Sequence, residues 1–182
     1  MHHEYSFSYW LDITEVFFTP KLATERKRVA DQAQAQEHVL IPFAGIGPYA
    51  IPVASRGGIV IAIEINPSAS RYFRKNVAAN GIASAITIIE GDAFKKIPLF
   101  PAGAFDRAII PTPYGQDRIL DLVIPHIKTS GTIHMYTFRK SFEIPSLIAE
   151  YRLKGLSVKT IRRCGNIAPG VSRWVFDLCK DA

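Results

Sequence analysis

Cysteine is scarce in this chain of 182 residues, with only Cys164 and Cys179 present. They form no CxxC pair and have no histidine at ligand spacing, so no metal site is expected. Reduced, buried thiols are the expectation. Long apolar runs are missing, and the first twenty residues hold no basic segment followed by an apolar stretch and a cleavage site. Neither a membrane span nor a leader is therefore expected, which points to the cytoplasm. Repeats, low-complexity tracts and linkers are absent as well. His2 and His3 carry no functional inference.

What remains is a globular balance of 48% hydrophobic and 21% charged residues, enough to build a core. The net charge is +6 and the isoelectric point about 9.4. Basic residues gather in "KLATERKR" (Lys21, Arg26 and Arg28 among them), "RYFRK", "FRK" (Arg139, Lys140) and "KTIRR" (Arg162, Arg163). That pattern suits a polyanion such as RNA and equally a solubilising surface; composition does not choose between them.

The first 37 residues are polar and aromatic, with a helix predicted over Lys21–Gln34 packing on the domain that follows, 38–182. One domain overall is expected. From His38, short β-branched runs alternate with helical stretches. Strands are predicted at His38–Ile41, Ile59–Ile63, Ala85–Glu90, Phe105–Ile110 and Gly131–Phe138. Helices are predicted at Pro48–Ser55, Pro67–Asn80, Gln116–Ile124 and Phe142–Lys154. Such alternation implies an α/β fold with a mainly parallel sheet and helices on both faces. The end differs: Ser157–Cys164 and Arg173–Lys180 are strand-like runs joined by "GNIAPGVS", and so short a connection demands an antiparallel hairpin. That ending fits the Rossmann-like sheet of class I, S-adenosylmethionine-dependent methyltransferases.

"IPFAGIGPYAIP" crowds two glycines and three prolines between the first strand and its helix. A loop there lies at the carboxyl end of the sheet, where ligands of such folds bind, and Gly45 and Gly47 let the backbone approach one. Glu64 closes the second strand 19 positions after Gly45, where an acid accepts hydrogen bonds from ribose hydroxyls. Asp92 follows the third strand, placed to accept from an adenine amino group. Three strand ends thus point to an adenosine-containing ligand. ATP would need a lysine closing the loop, and a nicotinamide cofactor a second mononucleotide half. S-adenosylmethionine fits best.

In order along the chain stand "FFTPKLATERKR", "FAGIGPYAIPVA", "AIEINPSASRYFRKNVAANG", "GDAF" and "APGVSRWVFDL". They resemble the catalytic domain of the archaeal and eukaryotic tRNA (guanine-37-N1)-methyltransferases and the sister family that transfers an aminocarboxypropyl group during wybutosine synthesis. The resemblance implies that Phe43, Ala44, Gly45 and Gly47 wrap the cofactor, with Glu64 and Ile65 at the ribose, Asp92 and Ala93 at the adenine, and Pro111 nearby. It also implies a functional acid at Glu25, with Arg26 beside it. Guanine N1 carries a proton that must leave before attack on the methyl, so a carboxylate base is chemically apt. A surface ion pair with Lys21 or Arg28 is the plainer role for Glu25.

Three departures stand out. Ile41 replaces the family's aspartate before "PFAG". "PTPYG" (Pro111 to Gly115) replaces an "N-x-P" sequence, so no amide reads a guanine edge, although Tyr114 is suited to stack on a base. Barely twenty residues precede "TPKLATER", where the family carries RNA-recognition segments. The expectation is tRNA methylation at or near guanine 37, with RNA held by the basic surface or by a partner protein. The alternatives are aminocarboxypropyl transfer to a wyosine precursor, a non-catalytic cofactor-binding subunit of an RNA-modifying complex, and a small-molecule methyltransferase.

Overall fold

β-branched runs and glycine turns lay out the framework. The computed structural model describes residues 1–181, which fall into two compact units divided between Leu99 and Phe100.

The first unit opens with an antiparallel hairpin of β1 (His2–Glu4) and β2 (Phe7–Tyr9), followed by α1 (Ala23–Ala30). Then β3 (His38–Pro42), β4 (Ile59–Glu64) and β5 (Ile86–Glu90) pair in parallel in the order β5-β4-β3. Between and after them come α2 (Ala50–Ala54), α3 (Pro67–Ala79) and α4 (Ala93–Lys96). Val39, Leu40 and Ile41 are fully buried, as a parallel strand covered on both faces requires. α3 starts where its sequence says it should. Asn66 Oδ1 accepts from Ser68 N at 2.9 Å, and Pro67 fills the first turn. Its buried stripe of Ala69, Phe73, Asn76 and Val77 follows the helical period.

In the second unit, β6 (Phe105–Ile110) and β7 (Ile127–Lys140) are parallel, and β8 (Leu156–Ala168) and β9 (Val171–Lys180) form an antiparallel hairpin, in the order β6-β7-β9-β8. α5 (Ile119–Val123) and α6 (Ile144–Leu153) complete it, with Tyr151 of α6 edge-on to Phe176 at 5.2 Å. Three strands are cross-linked inside by Arg107, His134 and Asp177, all buried. Arg107 Nη1 lies 2.7 Å from His134 Nε2, and His134 Nδ1 lies 2.7 Å from Asp177 Oδ1. A guanidinium can only donate, so Nε2 accepts and the Nδ1 proton goes to the carboxylate. An ion pair thus spans a neutral imidazole.

Several expectations change. The β1–β2 hairpin, which includes His2 and His3, was not foreseen. The predicted Lys21–Gln34 helix begins as a 3-10 turn over Pro20–Leu22 and ends at Ala30, because the chain turns back through Gln36 (φ +66°) to enter β3. β7 runs longer than predicted, since its ladder with β9 continues to Lys140 opposite Val171. The "GNIAPGVS" connection is mostly ladder with bulges, leaving Pro169 and Gly170 as the turn. Both cysteines are half-exposed free thiols rather than buried ones, since Cys164 lies on the exposed β8 and Cys179 near the open end of β9.

Candidate functional site

Three loops meet at the carboxyl ends of the first unit's parallel strands. The backbone pins them to β4 from both sides: Ala44 N donates to Ile63 O at 3.0 Å, and Gly91 N donates to Glu64 O at 2.8 Å. Glu64 itself is the hub. Its Oε2 accepts from Gly45 N at 2.7 Å and its Oε1 from Asn66 N at 2.7 Å. A buried carboxylate therefore holds both the glycine loop and the entry to α3, and each oxygen keeps a second acceptor site.

The two glycines have different reasons. Gly45 (φ +57°) has no heavy atom within 4 Å of where a Cβ would stand. Gly47 (φ +91°) is excluded from carrying one by its own helix packing: a Cβ would lie 2.3 Å from the Phe73 ring. The left-handed φ thus accounts for Gly45, whose surroundings are open, while Gly47 is fixed by the Phe73 ring of α3. Phe43 also takes a left-handed conformation (φ +56°), and its ring sits 6.1 Å from Phe94. Ile65 is 62% exposed, an apolar side chain beside Glu64. Asp92 caps α4 through Phe94 N at 3.0 Å, with the buried Ala93 next to it. Ile41 is fully buried, so this position serves the core rather than the loop.

This arrangement suits an adenosine group: an open glycine backbone, an acid for vicinal hydroxyls, an apolar neighbour for a ring, and a further acid one strand over. Among the described residues no cluster of three His, Cys, Asp or Glu is arranged to hold a metal.

α1 carries the other predicted residues. Glu25 is buried and gripped by Arg28 at both oxygens, Nη2–Oε1 at 2.7 Å and Nε–Oε2 at 2.9 Å. Arg28 is thereby largely committed to Glu25 rather than to an open RNA surface. Arg26 does not stand beside Glu25. One residue on along a helix turns about 100° away, and Arg26 enters the core, 2% exposed, clasping Glu4 through Nε and Nη2 and donating to Thr19 O. It anchors the hairpin to α1. Lys21 is exposed.

In the second unit, Pro111 is half-exposed and Thr112 is turned inward, its hydroxyl donating to Ile110 O at 3.1 Å. Tyr114 is 74% exposed, with one side of its ring against Phe138 at 5.7 Å. Arg139 pairs with Asp117 at 3.1 Å, and Arg163 donates to Ser172 Oγ at 2.8 Å. Lys140, Arg162 and Arg163 are exposed, the last two on β8. Arg173, not singled out in the sequence, lies over the Phe138 ring at 4.9 Å.

Asn66, Asn76 and Asn80 also escaped sequence reasoning. Asn66 had a signal, since Asn-Pro before a helix is a capping signature. The other two had none, because the amino-terminal backbone atoms they bond lie 66 to 72 positions away in sequence.

Strand order and the loops at the strand ends define a class I methyltransferase fold. More narrowly, the chain belongs to the family of the TRM5/TYW2 methyltransferase domain, whose model matches residues 1–156. It is 38% identical over 139 residues to the tRNA 4-demethylwyosine(37)-methyltransferase Taw21 of Saccharolobus solfataricus, covering 75% of this chain and 52% of that one. It is 36% identical over 138 residues to the tRNA (guanine(37)-N(1))-methyltransferase Trm5b of Pyrococcus abyssi, covering 76% and 40%. The crystal structure of M. jannaschii TYW2 in complex with AdoMet superimposes with a TM-score of 0.85 at 26% identity, over 100% of this chain and 85% of that one. The chain thus spans about half the length of the curated relatives it matches.

Proposed function

We propose that this chain is a methyltransferase domain that transfers the methyl group of S-adenosylmethionine to the purine at position 37 of tRNA, in the cytoplasm. The observation that carries the reading is the Glu64 carboxylate tied to Gly45 N and Asn66 N, in a chain of this family. When bound, S-adenosylmethionine supplies the electrophilic methyl. Gly45 and Glu64 hold its adenosine, with Phe43, Ala44, Ile65, Asp92 and Ala93 around them. Glu25 takes the proton from the purine nitrogen, its carboxylate oriented by Arg28. In the second unit, Tyr114 offers an exposed ring for stacking on an RNA base and Arg139, Lys140, Arg162 and Arg163 offer cations to phosphates; Lys21 offers one from the first unit. Arg26 acts through the fold alone.

A second reading concerns the base. Pro111 stands where the family carries an amide, and Thr112 bonds its own strand, so no side chain from Pro111 to Gly115 offers an amide to a guanine edge and the nearest in this loop is Gln116. That favours a 4-demethylwyosine substrate such as the name of the Saccharolobus relative records.

The test is transfer from cofactor labelled at the methyl to unmodified tRNA and, separately, to tRNA carrying 4-demethylwyosine. Label retained in either RNA supports methylation and names the base. Label absent from both, with transfer from cofactor labelled in the aminocarboxypropyl group, would replace this reading with that reaction. No transfer of either label, with cofactor bound, would point to a partner protein or a smaller substrate.

A further inference from the structure

The amino-terminal segment and the glycine loop are joined by one side chain, Asn76. It is fully buried in the last turn of α3, a poor place for asparagine unless its amide is used. Here it is used three times. Oδ1 accepts from Trp10 N at 2.6 Å, and Nδ2 donates to Trp10 O at 3.1 Å and to Ile46 O at 3.1 Å. Ile46 is the residue between Gly45 and Gly47.

One turn on, Asn80 does half of this. Its Oδ1 accepts from Ser8 N at 3.0 Å and its Nδ2 donates to Ser8 O at 2.9 Å. Its third bond goes to Asn76 O at 2.7 Å, within the helix, and not to the loop. The spacing explains the pairing. Four residues of helix rise about 6 Å and two residues of strand about 6.6 Å, so i and i+4 of a helix can clasp i and i+2 of an extended segment. Asn76 and Asn80 thus clasp Trp10 and Ser8 as a neighbouring strand would, but only Asn76 also reaches the loop.

We propose that Asn76 is a positioning residue that couples cofactor binding on the glycine loop to the order of the amino-terminal segment leading to Glu25. The inference rests on the reading that this loop holds S-adenosylmethionine. Coupling of this kind is reciprocal: if seating the cofactor steadies Ile46, it must also steady Trp10, and releasing Trp10 must weaken the cofactor.

The experiment has two readouts, neither involving RNA. Hydrogen exchange of the Trp10 amide is followed in the whole chain with and without saturating S-adenosylmethionine, and cofactor dissociation constants are measured for Asn76→Ala and Asn80→Ala. The expected results are slower Trp10 exchange with cofactor, a dissociation constant raised about 5- to 20-fold in Asn76→Ala, and a change within about two-fold in Asn80→Ala. Equal losses in both variants would reduce Asn76 to a general stabiliser. Unchanged Trp10 exchange on saturation overturns the coupling even if Asn76→Ala fails to fold. A wild-type chain that binds no S-adenosylmethionine would sink the cofactor reading and the coupling together. Absent RNA methylation, with the exchange effect intact, would leave the coupling standing and remove only the transfer reaction.

Discussion

The two units differ in what they do with charge. The first, residues 1–99, carries 10 basic and 9 acidic side chains, a net of +1, and the second carries 12 and 7, a net of +5. Nearly all the positive excess therefore lies in the unit without the glycine loop. The first unit spends its acids locally: Glu64 on backbone amides, Glu25 on Arg28, Glu4 on Arg26. The second leaves Lys140, Lys159, Arg162 and Arg163 exposed, three of them on β8. Charges on an edge strand also discourage strand-to-strand aggregation, so exposure alone does not establish RNA binding. On the proposed function the first unit holds the cofactor and the second supplies most of the cations offered to RNA, and variants can break that division.

The largest effect is expected at Glu25. Glu25→Gln should lower methyl transfer to tRNA by about 10²- to 10⁴-fold while cofactor affinity holds. Wild-type turnover would return Glu25 to a structural ion pair with Arg28.

Next come the buried charges, one arrangement in each unit. Arg26→Ala removes the guanidinium that clasps buried Glu4, and Asp177→Ala removes the buried acid to which His134 donates. Each should cost about 3–5 kcal/mol in urea denaturation. If the two units unfold independently, each variant should shift its own transition and leave the other.

The smallest effect concerns Tyr9. Its hydroxyl is buried with no hydrogen-bond partner, and burial, followed by the nearby Glu4 charge, pushes its ionisation far above the usual tyrosine value of 10.0. A phenol with a raised folded value contributes stability that is complete below the unfolded value and is lost as pH rises past it. Wild type should therefore lose stability above about pH 10, and Tyr9→Phe should flatten that loss while changing neutral stability by no more than about 1 kcal/mol. Parallel pH profiles for the two proteins would refute this.

How much of this the sequence disclosed depends on the range of the interaction. The glycine loop, Glu64 and Asp92 were legible because strand–turn–helix spacing places them by local rules. β6 was predicted with its observed ends, a β-branched run flanked by turn residues. Arg26, which the resemblance put beside Glu25, turns into the core instead, and its partner lies 22 positions away on a three-residue strand that no local pattern marks. The Arg107–His134–Asp177 chain and the Asn76 clasp needed strand register and helix placement, which no local pattern carries.

The central claim, that the glycine loop of the first unit holds the cofactor and the cations of β8 hold RNA, is tested most directly by measuring both affinities on two variants. Glu64→Ala removes the hub of the glycine loop; Arg162→Glu with Arg163→Glu reverses charge on β8 while keeping that edge charged. The account predicts that Glu64→Ala loses about 1–3 kcal/mol of S-adenosylmethionine binding with tRNA affinity intact. It predicts that the double reversal weakens tRNA binding and lowers its salt slope by about 2, with cofactor affinity intact. Loss of tRNA binding in Glu64→Ala, or undiminished tRNA binding by the double reversal, would contradict it.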